Sequence, residues 1–137
     1  SRAALRVPLV LVLHAGYAWI GVGQLLLAAA HFGLPVAEST ALHALTIGVI
    51  GTMTLGMMER VALGHTGRAV VASRLATLAI LLMLIAPFAR LSALVLPARY
   101  WMLSVQVAGT LFSLAFVVYL IAFARVLLTS RADGQAG

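Results

Sequence analysis

Four long apolar segments separated by short breaks constrain this 137-residue chain more than any other feature of its sequence. A helix needs about 20 mostly apolar residues to cross the hydrocarbon layer of a membrane. Four segments meet this requirement, over about residues 7–31, 41–63, 69–88 and 98–128. We therefore predict an all-α fold, a polytopic membrane helical bundle in which four transmembrane helices form a single domain over residues 1–137.

The composition excludes most soluble functions. Only 9% of the residues are charged, whereas a soluble domain has about a quarter. The net charge of +6 comes from arginines between apolar runs, so we expect them to anchor helices in a lipid bilayer and predict no nucleic-acid partner. The chain has no cysteine, which excludes disulfides and thiolate metal sites. No catalytic triad or phosphate loop is present. The sequence therefore leaves enzyme activity open and favours a protein that is not an enzyme.

The distribution of arginine predicts the orientation in the membrane. With four spans, both termini and the second connection share one side. That side holds the larger arginine set: Arg2, Arg6, Arg60, Arg68, Arg74, Arg125 and Arg131. The other side has Arg90 and Arg99. Because positive loops stay inside, we predict that the N- and C-termini are cytoplasmic.

The first apolar segment carries a polar stripe. Its members share about a quarter of the helix circumference with two small residues: His14, Tyr17, Gln24, His31, Gly21 and Ala28. Because polar groups in lipid are costly, we expect this stripe to face the protein interior. Interhelical hydrogen bonds explain Tyr17 and Gln24, whereas two histidines in one stripe favour metal ligation.

Small residues and methionines mark the second segment. Ala44, Gly48 and Gly51 form a ridge that lets another backbone approach closely, so we predict a packing role. Met57 lies nearer the cytoplasmic end, and its thioether suits Cu(I) or haem iron. Methionine in an apolar helix also serves packing alone, and both interpretations stay open.

The spacing of the histidines limits which of them can act together. His43 and His65 are 22 residues apart, which is roughly 30 Å along one helix, so they cannot share a metal ion. The available pairs are His31 with His43 near the outer face and His14 with His65 towards the inner face. Such pairs suit a membrane haem or a histidine-bound copper, although histidines at an interface also bond turn carbonyls.

A short run between the second and third segments, Gly-His-Thr-Gly-Arg over residues 64–68, predicts an anion site. Gly64 and Gly67 let the backbone approach a ligand, the next helix presents free N–H groups, and Arg68 adds a bidentate donor. We expect Thr66 to cap that helix. The simpler alternative is that Arg68 only follows the positive-inside rule. Glu59, near the helix end, is expected to pair locally or lie in water.

Two strings of residues carry a family resemblance. The longer string has five parts: His43-Ala44-Leu45-Thr46-Ile47-Gly48, Gly51-Thr52-Met53, Met57-Met58, Arg60 and Leu63-Gly64-His65-Thr66-Gly67-Arg68. The shorter string is Arg131-Ala132-Asp133-Gly134. Together they resemble the NnrS family of bacterial inner-membrane proteins linked to denitrification and nitric oxide stress.

The resemblance implies haem b and copper as cofactors. It maps family histidines onto His43 and His65, whereas His14 and His31 are candidates from geometry alone. Family members are longer and this chain starts without methionine, so we expect it to be a C-terminal part. Its partners would then be the remaining N-terminal part or further copies of itself.

The leading functional prediction is a membrane haem- or copper-binding module of a nitric-oxide-response protein. In it, His43, His65, His31 and His14 would be the metal ligands, and the cofactor contacts would come from Arg68, Gly64, Gly67 and Met57. Two alternatives remain open. One is a small transport or channel module lined by the polar stripe, against which stands the lack of a carboxylate within the membrane. The other is a structural oligomerisation bundle without a cofactor.

Overall fold

Four long helices make up the computed structural model, which describes residues 2–134 and their side chains from Pro8 onward. The helices are α1 (Arg2–His31), α2 (Glu38–His65), α3 (Arg74–Leu91) and α4 (Trp101–Leu128), and no strand occurs in the described part. All four are long and apolar enough to span a membrane, which confirms the predicted all-α membrane fold. The side chains of Arg2 and Arg6, used above for the orientation, lie outside the described ones.

The helices alternate in direction, so the bundle has two ends. We call the end with the α2–α3 connection and the C-terminus the inner end, and the opposite end the outer end. At the inner end Arg68 Nη2 donates a hydrogen bond to Thr129 Oγ1 at 2.8 Å, which joins the α2–α3 connection to the residue after α4. The arginine-rich segments after α2 and α4 therefore share one end, as the alternating topology requires.

The second helix changes its winding midway. Ala44–Gly51 form π-helical turns between the α-helical stretches Glu38–His43 and Thr52–His65. Such turns are rare and often occur at functional sites. The π-helical stretch begins directly after His43, so it sets the positions of the side chains that follow that histidine.

The run over residues 64–68 ends α2 and does not open α3. The N–H of Arg68 donates to the Leu63 carbonyl at 2.9 Å, and the N–H of Gly67 donates to the Gly64 carbonyl at 3.2 Å. Gly67 has a φ of +66°, as the Schellman turn at a helix end requires. Gly33, with a φ of +75°, closes α1 in the same way.

The third helix starts later than the sequence predicts. Ser73 Oγ accepts a hydrogen bond from the Ala76 N–H at 3.1 Å, and α3 begins at Arg74. Thr66 Oγ1 instead donates to the Ala62 carbonyl at 2.6 Å, within the last turn of α2. The prediction that Thr66 caps the third helix is therefore wrong, because its hydroxyl finds an acceptor one turn back.

The apolar core lies between all four helices. Its largest buried side chains come from each helix in turn: Leu9 and Val12, Leu55, Ile80 and Met83, Tyr119 and Phe123. The small residues of the α2 ridge, Ala44, Gly48 and Gly51, are also buried. A Cβ added at Gly48 would lie 2.6 Å from two ring atoms of Trp19, so the indole rests directly on the α2 backbone.

Glu59 lies inside the protein, contrary to expectation. Its side chain is 0% exposed, and neither carboxyl oxygen has a hydrogen-bond partner among the described residues. The prediction of a local ion pair or a solvent-exposed position is wrong, because Glu59 lies on the face of α2 that packs against the core. It shares a face with the buried Leu55 and Ala62. The absence of a carboxylate within the membrane therefore no longer counts against the transport alternative.

The polar stripe of α1 faces outward. All of its members are exposed, Tyr17 by 67%, and a Cβ added at Gly21 would meet no atom within 4 Å. A second stripe with the same three-and-four spacing is buried instead: Leu9, Val12, Gly16, Trp19 and Gly23. The two stripes lie roughly 130° apart at 100° per residue. The prediction of an inward polar stripe is wrong, because the bundle buries the more apolar of the two.

Candidate functional site

A cavity of about 380 Å³ lies between α2, α3 and α4 in the outer half of the bundle, and we call it the outer cavity. Most of its wall is apolar. Ile47 and Ile50 contribute from the π-helical turns, and Ala108 and Phe112 contribute from α4. His43 and Arg90 supply the titratable and the charged group of its lining, and both face one largely apolar space.

His43 is held in one tautomer by its own helix. Its Nδ1 lies 2.5 Å from the Ser39 carbonyl oxygen, one turn back. Because a carbonyl only accepts hydrogen bonds, Nδ1 carries the proton and Nε2 keeps its lone pair. Metal-binding histidines are commonly oriented in this way, by a second ring nitrogen that donates to a fixed acceptor. The side chain is half-buried at the cavity wall.

Arg90 lies on the same cavity from α3. Its side chain is 1% exposed, and Nε and Nη1 have no hydrogen-bond partner among the described residues. Its Cζ atom lies 5.8 Å from the centroid of the Trp101 ring, within cation–π range. Sequence reasoning placed Arg90 in the connection beyond the third span. The structure keeps it inside α3, because the helix continues past Pro87 to Leu91.

A second cavity, of about 440 Å³, opens at the inner end, and we call it the inner cavity. It brings together three of the residues predicted for the site: Met57, Gly64 and His65. Arg60 and Arg131 complete its charged lining. A thioether, an imidazole and two guanidinium groups therefore share one open space.

Arg68 and Gly67 serve the inner end as structural residues. Besides its bond to Thr129, Arg68 donates through Nη1 to the Val126 carbonyl at 3.4 Å. The Ala132 N–H donates to the Thr66 carbonyl at 3.0 Å, which holds the tail over the end of α2. A Cβ added at Gly67 would come within 2.6 Å of the Asp133 carboxyl group.

The tail that covers this turn is itself ordered by an ion pair. Arg131 donates two hydrogen bonds to Asp133, at 3.0 and 2.7 Å. The hydrogen bond to Asp133 raises the pKa of Arg131. The two strings that carry the family resemblance are thus in contact with each other at the inner end.

The predicted histidine pairs are not assembled within the chain. Gly56 packs against Val12, so His14 is level with about residue 54, and His65 lies roughly 16 Å further along α2. By the same reasoning, Gly23 packs against Leu45, and His31 lies roughly 9 Å beyond His43 along the axis.

Each cavity therefore has one histidine. No group of three or more histidine, aspartate or glutamate side chains in residues 2–134 is placed to hold a metal ion. His14 and His31 are exposed, and each bonds a carbonyl one turn back through Nδ1. Their role as ligands stays a prediction that would need a group from outside this chain.

A comparison with known protein families gave a match over nearly the whole chain. The family profile described as NnrS protein matches residues 1–131. A search of curated proteins and a search of solved structures gave no significant match.

Proposed function

Because the chain belongs to the NnrS family, a family of the nitric oxide response, we propose that it is a membrane haem-binding module with haem b in the outer cavity. The observation that carries this proposal is the meeting of His43 and Arg90 at one largely apolar cavity within a membrane-spanning bundle. Nitric oxide is a small apolar gas that partitions into the bilayer. A site that opens between transmembrane helices is therefore well placed to receive it.

The residues around the outer cavity suit a haem in three ways. Nε2 of His43 has the lone pair that would hold the iron of a haem, and the bond from Nδ1 to Ser39 fixes the ring. Ile47, Ile50 and Phe112 offer apolar contacts for a flat macrocycle and keep water away. A haem held by these residues would supply an iron that binds nitric oxide.

Replacing His43 with alanine is expected to weaken haem binding at least tenfold, since loss of an outer-shell partner alone costs roughly 10–100-fold. The measurement is a titration of the detergent-purified chain with haem, followed by the Soret band. His14→Ala is the matched control, because His14 is exposed on α1 and makes the same bond to its own helix. Equal affinity of the His43→Ala chain and the unmodified chain would refute the assignment.

We propose a copper site in the inner cavity, with His65 as the donor from this chain. Imidazole suits Cu(I), and His65 lines this cavity. Met57 lies roughly 12 Å away from His65 along the axis of α2, so the two side chains do not share one ion. His65→Ala is expected to lower the copper content of protein from copper-supplied cells at least tenfold. Metal analysis of the purified protein measures this, with His14→Ala as the control. Unchanged copper in His65→Ala would exclude the site.

We also propose that the chain lies in the bacterial inner membrane with both termini in the cytoplasm. The inner cavity is lined by Arg60 and Arg131, and Arg68 joins the end of α4 at the same end of the bundle. Positive residues are retained on the cytoplasmic side of inner-membrane proteins. The inner end is then the cytoplasmic end, and the outer cavity lies towards the periplasm.

The exposed stripe of α1, which we call the α1 outer seam, is proposed to pack against a second copy of the chain. Its members recur at heptad positions: His14, Gly21 and Ala28, then Tyr17, Gln24 and His31. Two copies in one membrane run parallel, so each Gln24 would meet its own counterpart. A side-chain amide both donates and accepts, and Gly21 leaves room for close approach.

A single cysteine at Gln24 is expected to form a disulfide-linked dimer under mild oxidation in membranes. The chain has no cysteine of its own, so the product is unambiguous. Leu120→Cys is the control, since Leu120 is 59% exposed on α4, away from the seam. A dimer from both variants, or a cross-link from Gln24→Cys to a different polypeptide only, would count against a second copy as the partner.

A further inference from the structure

Arg90 is a buried cation without a counter-ion in the described part of the chain. Nε and Nη1 lack partners, the side chain is 1% exposed, and no carboxylate lines the outer cavity. Arginine stays protonated in proteins, and an unpaired buried charge costs several kcal/mol. The Trp101 ring at 5.8 Å offsets only part of this cost. Something that binds in the cavity must therefore complete the site.

The geometry points to a carboxylate as the missing partner. A guanidinium group donates charge-assisted hydrogen bonds to a carboxylate, and Nε and Nη1 of Arg90 each have a donor without a partner among the described residues. The rest of the wall is mostly apolar, and the Thr46 hydroxyl is bonded to its own helix, so the ligand that fits has an apolar body and an anionic edge. His43 faces the same space from α2.

We propose that Arg90 binds a carboxylate on the edge of the ligand whose body fills the outer cavity beside His43. This inference rests on the proposed function, in which that ligand is haem and the carboxylate is a propionate. The other arginines near the membrane ends do not fit this role. Arg68 is engaged with Thr129 and Val126, and Arg99 is exposed, with its Cζ 4.9 Å from the Tyr100 ring centroid.

The test compares haem with its dimethyl ester, in which both carboxylates are blocked. The unmodified chain is expected to bind haem at least tenfold more tightly than the ester. Arg90→Gln should reduce haem affinity to that of the ester and leave the ester unaffected, whereas Arg90→Lys should keep part of the preference. Arg99→Gln, at the same end of the bundle, should behave as the unmodified chain.

A further variant locates the site. Gly109 lines the outer cavity and a Cβ added there meets no atom within 4 Å, so Gly109→Leu is expected to place its larger side chain in the space of the ligand. Both haem and its ester should then lose affinity together. Undiminished binding in Gly109→Leu would place the ligand elsewhere and overturn the inference.

The remaining outcomes separate this inference from the proposed function. If haem and its ester bind the unmodified chain equally well, the carboxylate contact is wrong while haem binding stands. If neither binds, both proposals fail. A phospholipid phosphate is the competing source of negative charge. Native mass spectrometry that finds a phospholipid retained by the unmodified chain and lost in Arg90→Gln, with no preference between the porphyrins, would assign Arg90 to lipid and overturn the proposal.

Discussion

Replacing Gly48 with leucine is expected to destabilise the folded bundle by about 3 kcal/mol or more, the upper part of the range for overpacked cores. A Cβ at this position would lie 2.6 Å from Cγ and Cδ2 of Trp19 and 3.0 Å from its Cβ. Trp19 cannot move aside easily, because it is 5% exposed and its ring packs edge-on against Phe88, with centroids 4.9 Å apart. The better helix propensity of leucine offsets only about 1 kcal/mol.

The measurement is equilibrium unfolding of the purified chain in mixed micelles. Gly64→Leu is the matched control, because Gly64 lies in the same helix and a Cβ there meets no atom within 4 Å. It should lose no stability. Similar losses for both variants would mean that α1 and α2 do not approach each other as closely as the structure has them.

Replacing Glu59 with methionine is expected to raise the free energy of unfolding by about 1–3 kcal/mol. The carboxyl group is 0% exposed and both of its oxygens lack partners in the described part, so its burial costs free energy that methionine, of similar length, does not. Most core substitutions destabilise a protein. A higher free energy of unfolding for Glu59→Met would therefore be a specific sign that the Glu59 carboxyl group is buried without a hydrogen-bond partner.

Glu38→Met is the control for this prediction, since Glu38 is exposed at the other end of α2 and should change stability little. The readout is the unfolding midpoint in the same micelles. A lower midpoint for Glu59→Met would mean that the carboxyl group has a hydrogen-bond donor in the membrane. A higher one would mark Glu59 as a residue retained for a purpose other than folding.

The membrane fold follows from the sequence because the bilayer itself sets the length of each helix. The order of the four spans and the close contact at Gly48 both follow from hydropathy and residue size. The end of the first helix near residue 31 also follows, because Gly33 adopts the turn that closes it. Local chemistry was sufficient in these cases.

Which face of each helix is buried depends on the helices that pack against it, and the sequence of that helix alone does not determine it. The two stripes of α1 have the same spacing, and only packing against α2 decides between Trp19 and Tyr17 for the interior. Glu59 and Arg90 both lie close to predicted span ends, where a charged residue usually contacts water. Both are buried because each lies on the face of its helix that packs against the core.

The candidate site divides in the same way. The resemblance identified His43 and His65, and the structure places each of them on a cavity. Whether His31 pairs with His43, and His14 with His65, depends on how α1 and α2 are aligned along their axes. The spacing of residues within one helix does not determine that alignment. The π-helical turns after His43 have no local signal that we recognise in the residues Ala44–Gly51.

The position of α1 has a consequence for the access of small molecules to the outer cavity. No residue lining the outer cavity comes from α1. A neighbour docked along the α1 outer seam would therefore lie against a helix that does not line the outer cavity. Two bundles joined through α1 would each keep the cavity-lining helices outside the interface, so assembly and the uptake of a dissolved gas would not compete for the same surface.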